Sequence, residues 1–285
     1  MADYCHRSHH YFGWRQRAEV NDMAKINRIC ITAALAFSTL FFCLCSAGAD
    51  IKPTVLFDQA HGQRFTIENE GPLQLSGLAG VFRKEGFEVR AGDGPITDEA
   101  LSYVDVLVVS GPFIPTTPNE TKSILHFIER GGRLCVMLHI PFPVEGLLDR
   151  LNVLYSSGPI RERESLISDS PKDFYVTRFQ SHPATNGIAR FATYGCWALM
   201  NSGNAGLVLA QTSPVAWVDL NKNEKLDSGD AVQSFAVVVA GEIGKGGYIV
   251  FGDDAIFQNE FLERDNGPFA KNMVKWLLAS IKTQL

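Results

Sequence analysis

Gly244-Lys-Gly-Gly-Tyr-Ile-Val-Phe-Gly-Asp-Asp254 decides the fold class. A Gly-rich turn feeds an apolar run, and the run stops on two adjacent carboxylates. A run with no polar alternation suits a strand covered on both faces, as in parallel sheets. In α/β proteins the C-terminal ends of such strands are where ligand groups collect. The stretch therefore predicts an α/β fold and puts Asp253 and Asp254 at its functional edge. Beyond Asn259 and Asn266, an amphipathic pattern predicts a closing helix.

Upstream, the same alternation repeats. Thr54-Val-Leu-Phe-Asp58 reads as a buried strand ending on a carboxylate. Leu73, Leu75, Leu78, Val81 and Phe82 form a helical stripe, closed by Gly86. Phe87–Arg90 is the next strand, and Ile96-Thr-Asp-Glu99 predicts a short helix capped by Thr97. Val104–Ser110 is a central strand. Pro118–Arg130 is a helix stopped by Gly131-Gly132, Arg133–His139 a strand, and Val144–Leu151 a helix. Strand, helix, strand with short turns predicts a doubly wound, mostly parallel sheet of flavodoxin-like type. Residues 152–240 predict a β-rich insertion. Ser156-Ser-Gly-Pro159 and Arg161–Glu164 read as solvated surface loop, and strands are expected near Phe174–Val176, Trp197–Met200, Gly206–Ala210, Pro214–Leu220 and Val232–Ala240.

The chain has 285 residues, 46% of them hydrophobic, and a net charge of −5. No dense Lys/Arg cluster occurs, which argues against nucleic acid as a partner. Lys25 and Arg28 precede an apolar run from Ile29 to Cys45, and Ala47-Gly48-Ala49 supplies small residues at a cleavage site. Residues 1–49 thus read as an N-terminal extension plus a secretory signal cleaved after Ala49, with an uncleaved membrane anchor as the alternative. The expected location is periplasmic or secreted, and residues 50–285 are expected to form one domain. Cys135 and Cys196 lie inside apolar runs and predict two buried thiols rather than a disulfide.

Four segments together resemble the class I glutamine amidotransferase-like superfamily, in its non-amidotransferase branch. They are Phe57-Asp-Gln-Ala-His-Gly62, Asp105–Pro112 with the helix ending in Gly131-Gly132, His182-Pro-Ala-Thr-Asn-Gly-Ile188, and Gly246–Asp254 through Asp265-Asn266 to Trp276-Leu277. That branch includes periplasmic domains of gliding-motility ABC-transporter accessory proteins and the N-terminal domain of an intraflagellar-transport subunit. The resemblance implies an amidotransferase-like sheet and a role beside an envelope transport system. It does not carry over amidotransferase activity. Cys135 has Leu134 and Val136 beside it instead of the glycines of a nucleophile turn, and no Gly-x-Ser-x-Gly replaces it.

Two candidate sites follow. Asp58, His61, His139, Asp253 and Asp254 all fall at strand ends and form a candidate ligand-binding rim; each could instead serve a local cap or turn. Asp219, Asn221, Asn223, Lys225, Asp227 and Asp230 have the spacing of a calcium loop, with the Lys225 carbonyl as one ligand. Glu224 stands where that loop normally has Gly, so a polar loop of Asx turns is the alternative. A bound calcium would be structural, and no other cofactor is expected. The function expected is a non-catalytic domain binding a small molecule, a glycan or an envelope protein. The alternative is a hydrolase that uses the Asp and His side chains at the strand ends.

Overall fold

The computed structural model describes residues 52–203 and 206–282. The extension and signal read in residues 1–49 lie outside them. Residues from Lys52 onward form one compact unit.

The first half alternates as expected: β1 (Thr54–Asp58), α1 (Ser76–Lys84), β2 (Glu88–Gly92), β3 (Val106–Ser110), α2 (Pro118–Glu129), β4 (Arg133–Met137) and α3 (Glu145–Arg150). Strands then dominate: β5 (Val153–Arg161), β6 (Asp173–Val176), β7 (Arg178–Phe179), β8 (Phe191–Tyr194), β9 (Trp197–Asn201), β10 (Leu207–Gln211), β11 (Trp217–Val218) and β12 (Ala231–Val232). A hairpin of β13 (Ala236–Ile243) and β14 (Gly246–Phe251) leads to the closing helix α4 (Gly267–Lys282).

β14, β4, β3, β1 and β2 lie side by side in that order, every neighbouring pair parallel. β13 pairs antiparallel with β14 and carries the sheet on through β9, β5, β11 and β12, again antiparallel. The result is a mixed α/β fold whose central parallel block continues into antiparallel strands. β6 and β8 form a separate ribbon.

Side-chain alternation along each strand divides the core. Val106, Val108, Cys135, Met137, Ile249 and Phe251 point to one face, where Leu78 and Phe82 of α1 and Phe269, Met273 and Leu277 of α4 cover them. Leu107, Val109, Leu134, Val136 and Val250 point to the other, under Ile124, Phe127 and Ile128 of α2 and Leu147 and Leu148 of α3. Fully buried Phe82 meets Phe57 and Phe87 edge-on at 5.7 and 5.2 Å. Truncating such a ring to Ala costs about 3–5 kcal/mol.

The Gly-rich turn has a packing reason. Lys245 N–H donates to the Glu129 carbonyl at 3.0 Å, and Gly247 N–H to the Gly132 carbonyl at 3.3 Å. The hairpin thus lies against the end of α2. A Cβ on Gly246 would run into the backbone oxygens of Ile128 and Gly132. Only glycine allows that approach.

Three expectations need correction. Val153–Arg161 is a nine-residue strand, not a surface loop. Ser156 and Pro159 permit this because the strand bulges between Tyr155 and Pro159. Glu162 is buried, and its carboxylate accepts from Arg163 N–H, Glu164 N–H, Ser213 N–H and the Ser213 hydroxyl. The segment after Ile96 forms turns instead of a helix, although Thr97 does accept from Ala100 N–H at 3.2 Å. Cys135 and Cys196 are free buried thiols, as expected. Among the described residues no helix is long and apolar enough to cross a membrane.

Candidate functional site

The strand ends of the parallel block bring the predicted rim residues into two separate clusters. The first is buried. Asp58 ends β1, and three residues later the chain turns back so that His61 Nδ1 sits 2.9 Å from both Asp58 oxygens. His61 Nε2 meets Glu120 Oε1 at 3.1 Å. The Gln63 side-chain amide donates to Asp58 as well. The His61 carbonyl accepts Phe113 and Ile114 N–H, which locks this loop to the segment after β3. The hydrogen bond that His61 donates to Asp58 leads the influences that raise the His61 pKa; burial opposes it, and Glu120 adds to the rise. With a carboxylate at each ring nitrogen, the charged imidazolium is the favoured form.

Glu120 was not among the predicted site residues. It sits in the first turn of α2, where Thr117 and Glu120 form a capping box. Burial pushes the Glu120 carboxyl up, but bonds from Thr117 N–H, the Thr117 hydroxyl, Ile96 N–H and His61 outweigh it and hold the pKa at about 2. The Thr-Pro-Asn-Glu spelling foretells the cap. Nothing in it foretells the bond to a histidine 59 residues away.

The second cluster reaches the surface. Asp253 and Asp254 follow β14, and His139 lies two residues past β4. His139 Nδ1 is 3.1 Å from Asp254 Oδ1. The His139 side chain is 42% exposed, whereas Asp254 is buried. Phe65 and Phe113 flank the imidazole, with ring centroids at 5.9 and 5.2 Å, and the Arg64 guanidinium lies 4.6 Å over Phe113. The bond to Asp254 raises the His139 pKa, against burial; Asp254 and Asp253 charges raise it further and Arg64 lowers it.

The two adjacent carboxylates do different things. Asp253 accepts Tyr194 N–H at 2.7 Å and Ala255 N–H at 2.9 Å, so it, and not Asp254, serves the following turn. Burial and the neighbouring Asp254 push the Asp253 carboxyl up to about 8, despite those two bonds and the nearby His139. Asp254 Oδ2 is buried and has no hydrogen-bond partner. It occupies the space a side chain on Gly111 would fill. Of the five predicted rim residues, His139 is the exposed one.

The other residues singled out in the sequence have local roles. Asn266, fully buried in a π-helical turn, bonds both backbone groups of Ala192 and the Ile256 carbonyl. Asn259 Oδ1 accepts Gly77 N–H at the start of α1. His182 accepts Ala184 N–H in its Pro183 turn and packs on Trp276.

In the Asp219–Asp230 loop, Asp219 accepts Asn223 and Glu224 N–H, Asn221 accepts Asn223 N–H, and Asn223 accepts Lys225 N–H. Asp227 meets the side-chain amides of Asn221 and Asn223, and Asp230 accepts Leu220 and Asp227 N–H. Lys222 and Glu224 are left-handed, with φ of 59° and 62°. Glu224 therefore adopts the turn that a calcium loop usually assigns to glycine. Among the described residues no group of three or more His, Cys, Asp or Glu is placed to hold a metal ion.

Residues 67–274 match the model of a domain of unknown function, DUF4350. The chain belongs to the DUF4350 family. Its fold is similar to that of the mmIFT52 N-terminal domain: TM-score 0.61, 16% identity, 78% of this chain and 96% of that one covered. A ThuA-like protein from Bacteroides uniformis gives TM-score 0.51 at 17% identity, with 84% of this chain and 97% of that chain covered. A cytoplasmic protein from Salmonella typhimurium gives 0.51 at 14% identity, over 79% and 98%. Identities this low show a common fold and nothing of activity. No curated protein matches the sequence significantly.

Proposed function

We propose that this DUF4350 chain is a binding module without a catalytic nucleophile, exported to the periplasm or secreted, and acting beside an envelope transport system. Its sheet is read as the doubly wound, amidotransferase-like arrangement, with the ligand-facing rim at the C-terminal ends of β4 and β14. Its ligand is a small molecule, a glycan or an envelope protein. One observation carries the reading. His139 is half exposed between Phe65 and Phe113, and its Nδ1 is held by buried Asp254, which leaves Nε2 available. An oriented imidazole on an aromatic shelf suits recognition of a polar group carried on an apolar body.

The hydrolase alternative draws no support from His61. Both its ring nitrogens already meet carboxylates, so it has no free lone pair for a proton. The Asp219–Asp230 loop is proposed as a calcium tie between β11 and β12, supported by the left-handed turn at Glu224, the position such a loop usually gives to glycine.

The rim reading is tested by thermal shift of the protein and of His139→Ala against neutral and acidic monosaccharides and short peptides. One probe class should stabilise the parent protein and fail with the variant. Equal shifts in both proteins, or none with any probe, would sink the reading. Turnover of nitrophenyl esters or glycosides that vanishes in His139→Ala would establish the hydrolase instead.

A further inference from the structure

A cavity of about 210 Å³ lies between β5, Trp197 and the Asp219–Asp230 loop. Arg161, Lys172 and Lys222 line it, as do Asp219 and Glu224. Three cationic residues against two acidic ones leave a positive excess. Lys172 and Lys222 take part in no ion pair among the described residues.

Arg161 is engaged at one end of its fork. Its Nη2 lies 3.4 Å from Asp219 and 3.9 Å from Glu224. Its Nε is buried and has no partner. The guanidinium is steadied from another side by the Trp217 ring, 5.1 Å away. With Nη2 turned to Asp219, the guanidinium offers a carboxylate its remaining Nη donors as charge-assisted hydrogen bonds. Trp197 adds a wall of different chemistry. Its Nε1–H donates to the His139 carbonyl at 3.0 Å, which fixes the indole plane. A fixed indole is a flat apolar surface on which a ring can lie.

We propose that this cavity binds a small carboxylate carried on a ring, the carboxylate on Arg161 and the two lysines, the ring against Trp197. A monoanion fits better than a phosphate dianion, because Asp219 and Glu224 stand in the same wall. The inference rests on the reading of the chain as a binding module, but it uses side chains other than the His139 rim. It also gives the Asp219–Asp230 loop a role: it contributes Lys222 and closes one side of the site.

The test is calorimetric titration of the full chain with D-glucuronate, benzoate, acetate and D-glucose. Glucuronate tells a saccharide ligand from the aromatic one that benzoate represents. At least one ring carboxylate should bind, with acetate and glucose about tenfold weaker or worse. Arg161→Lys keeps the charge and loses the fork, so it should weaken binding about tenfold, the worth of one charge-assisted hydrogen bond. The double variant Lys172→Gln/Lys222→Gln leaves Arg161 and the core intact and should weaken binding and reduce its dependence on salt. His139→Ala should leave it unchanged. The site is overturned if neither ring carboxylate binds, if acetate binds as well as both, or if neither the Arg161 nor the lysine variant matters. If His139→Ala alone abolishes binding, the ligand belongs to the rim: this inference falls and the proposed function stands.

Discussion

Removing the Glu120 side chain tests the buried cluster most sharply. In Glu120→Ala the Ile96 N–H and the His61 Nε2–H lose their acceptor in a buried setting, and the start of α2 loses its capping box. Each orphaned donor costs about 1–3 kcal/mol, and breaking a buried ion pair by deleting one partner costs about 3–5 kcal/mol. The titration of Glu120 gives a second route to the number. A carboxyl held at about 2 rather than 4.5 contributes about 3 kcal/mol to folding. The two routes meet at a loss of about 3 kcal/mol at pH 6.

The pH dependence carries its own signature. Glu120 is lowered, so its contribution is complete above 4.5 and is lost as pH falls toward about 2. His61 is raised, so its contribution is complete below 6.5 and fades as pH rises through its elevated folded value. Both are complete together between 4.5 and 6.5. The assay is urea unfolding followed by tryptophan fluorescence from pH 3 to 9, with Tm alongside. A loss near 3 kcal/mol should lower Tm by about 6–12 °C for a domain of this size. The variant should also lose the steep acid limb. A change under about 1 kcal/mol, or an acid limb the same in both proteins, would refute the reasoning.

Gly111→Ala places a methyl against Asp254 Oδ2 at a residue with φ of +52°; it should cost about 2–4 kcal/mol in urea unfolding, and a neutral result would mean that the carboxylate is free to move. Carboxyl NMR should show Asp253 titrating near 8. Its stabilising contribution is complete below 3.8 and lost as pH rises through about 8, so Asp253→Asn should remove that decline; a midpoint near 4 would contradict the burial argument. Calcium at ten times its Kd should stabilise the protein by about 1.4 kcal/mol, reversed by EDTA and absent in Asp219→Ala; an unchanged midpoint removes calcium from the loop. Burial pushes both Cys135 and Cys196 thiols up, so a thiol reagent should label neither until urea is added; rapid labelling of the native protein would contradict this.

The elements legible in the sequence are those whose environment is uniform. β1, β3, β4 and β14 are covered on both faces, so they spell themselves as apolar runs. α2 announces itself through its opening Pro118 and the Gly131-Gly132 that stops it. β5 was illegible because Ser156–Pro159 is a loop by composition, and only pairing with β9 and β11 makes it a strand. Arg161 reads as solvated for the same reason; its burial comes from Trp217 on the paired strand and from Asp219 just beyond it. The shelf around His139 is equally non-local: Phe65 and Phe113 come from the loops after β1 and β3.

The sequence by itself determined the alternation of strand and helix, the burial of both thiols and the placement of Asp58, His61, Asp253 and Asp254 at strand ends. These follow from side-chain periodicity and chain order, which are local. What the carboxylates and imidazoles do was decided only in three dimensions. Adjacent residues at a strand end point in different directions, so Asp253 turned to the backbone of Tyr194 and Ala255 while Asp254 turned to His139. His61 was drawn inward by a glutamate far along the chain, and His139 was left at the surface. A hydrogen-bond partner is chosen by distance in space, and that distance is not written in the spacing of residues.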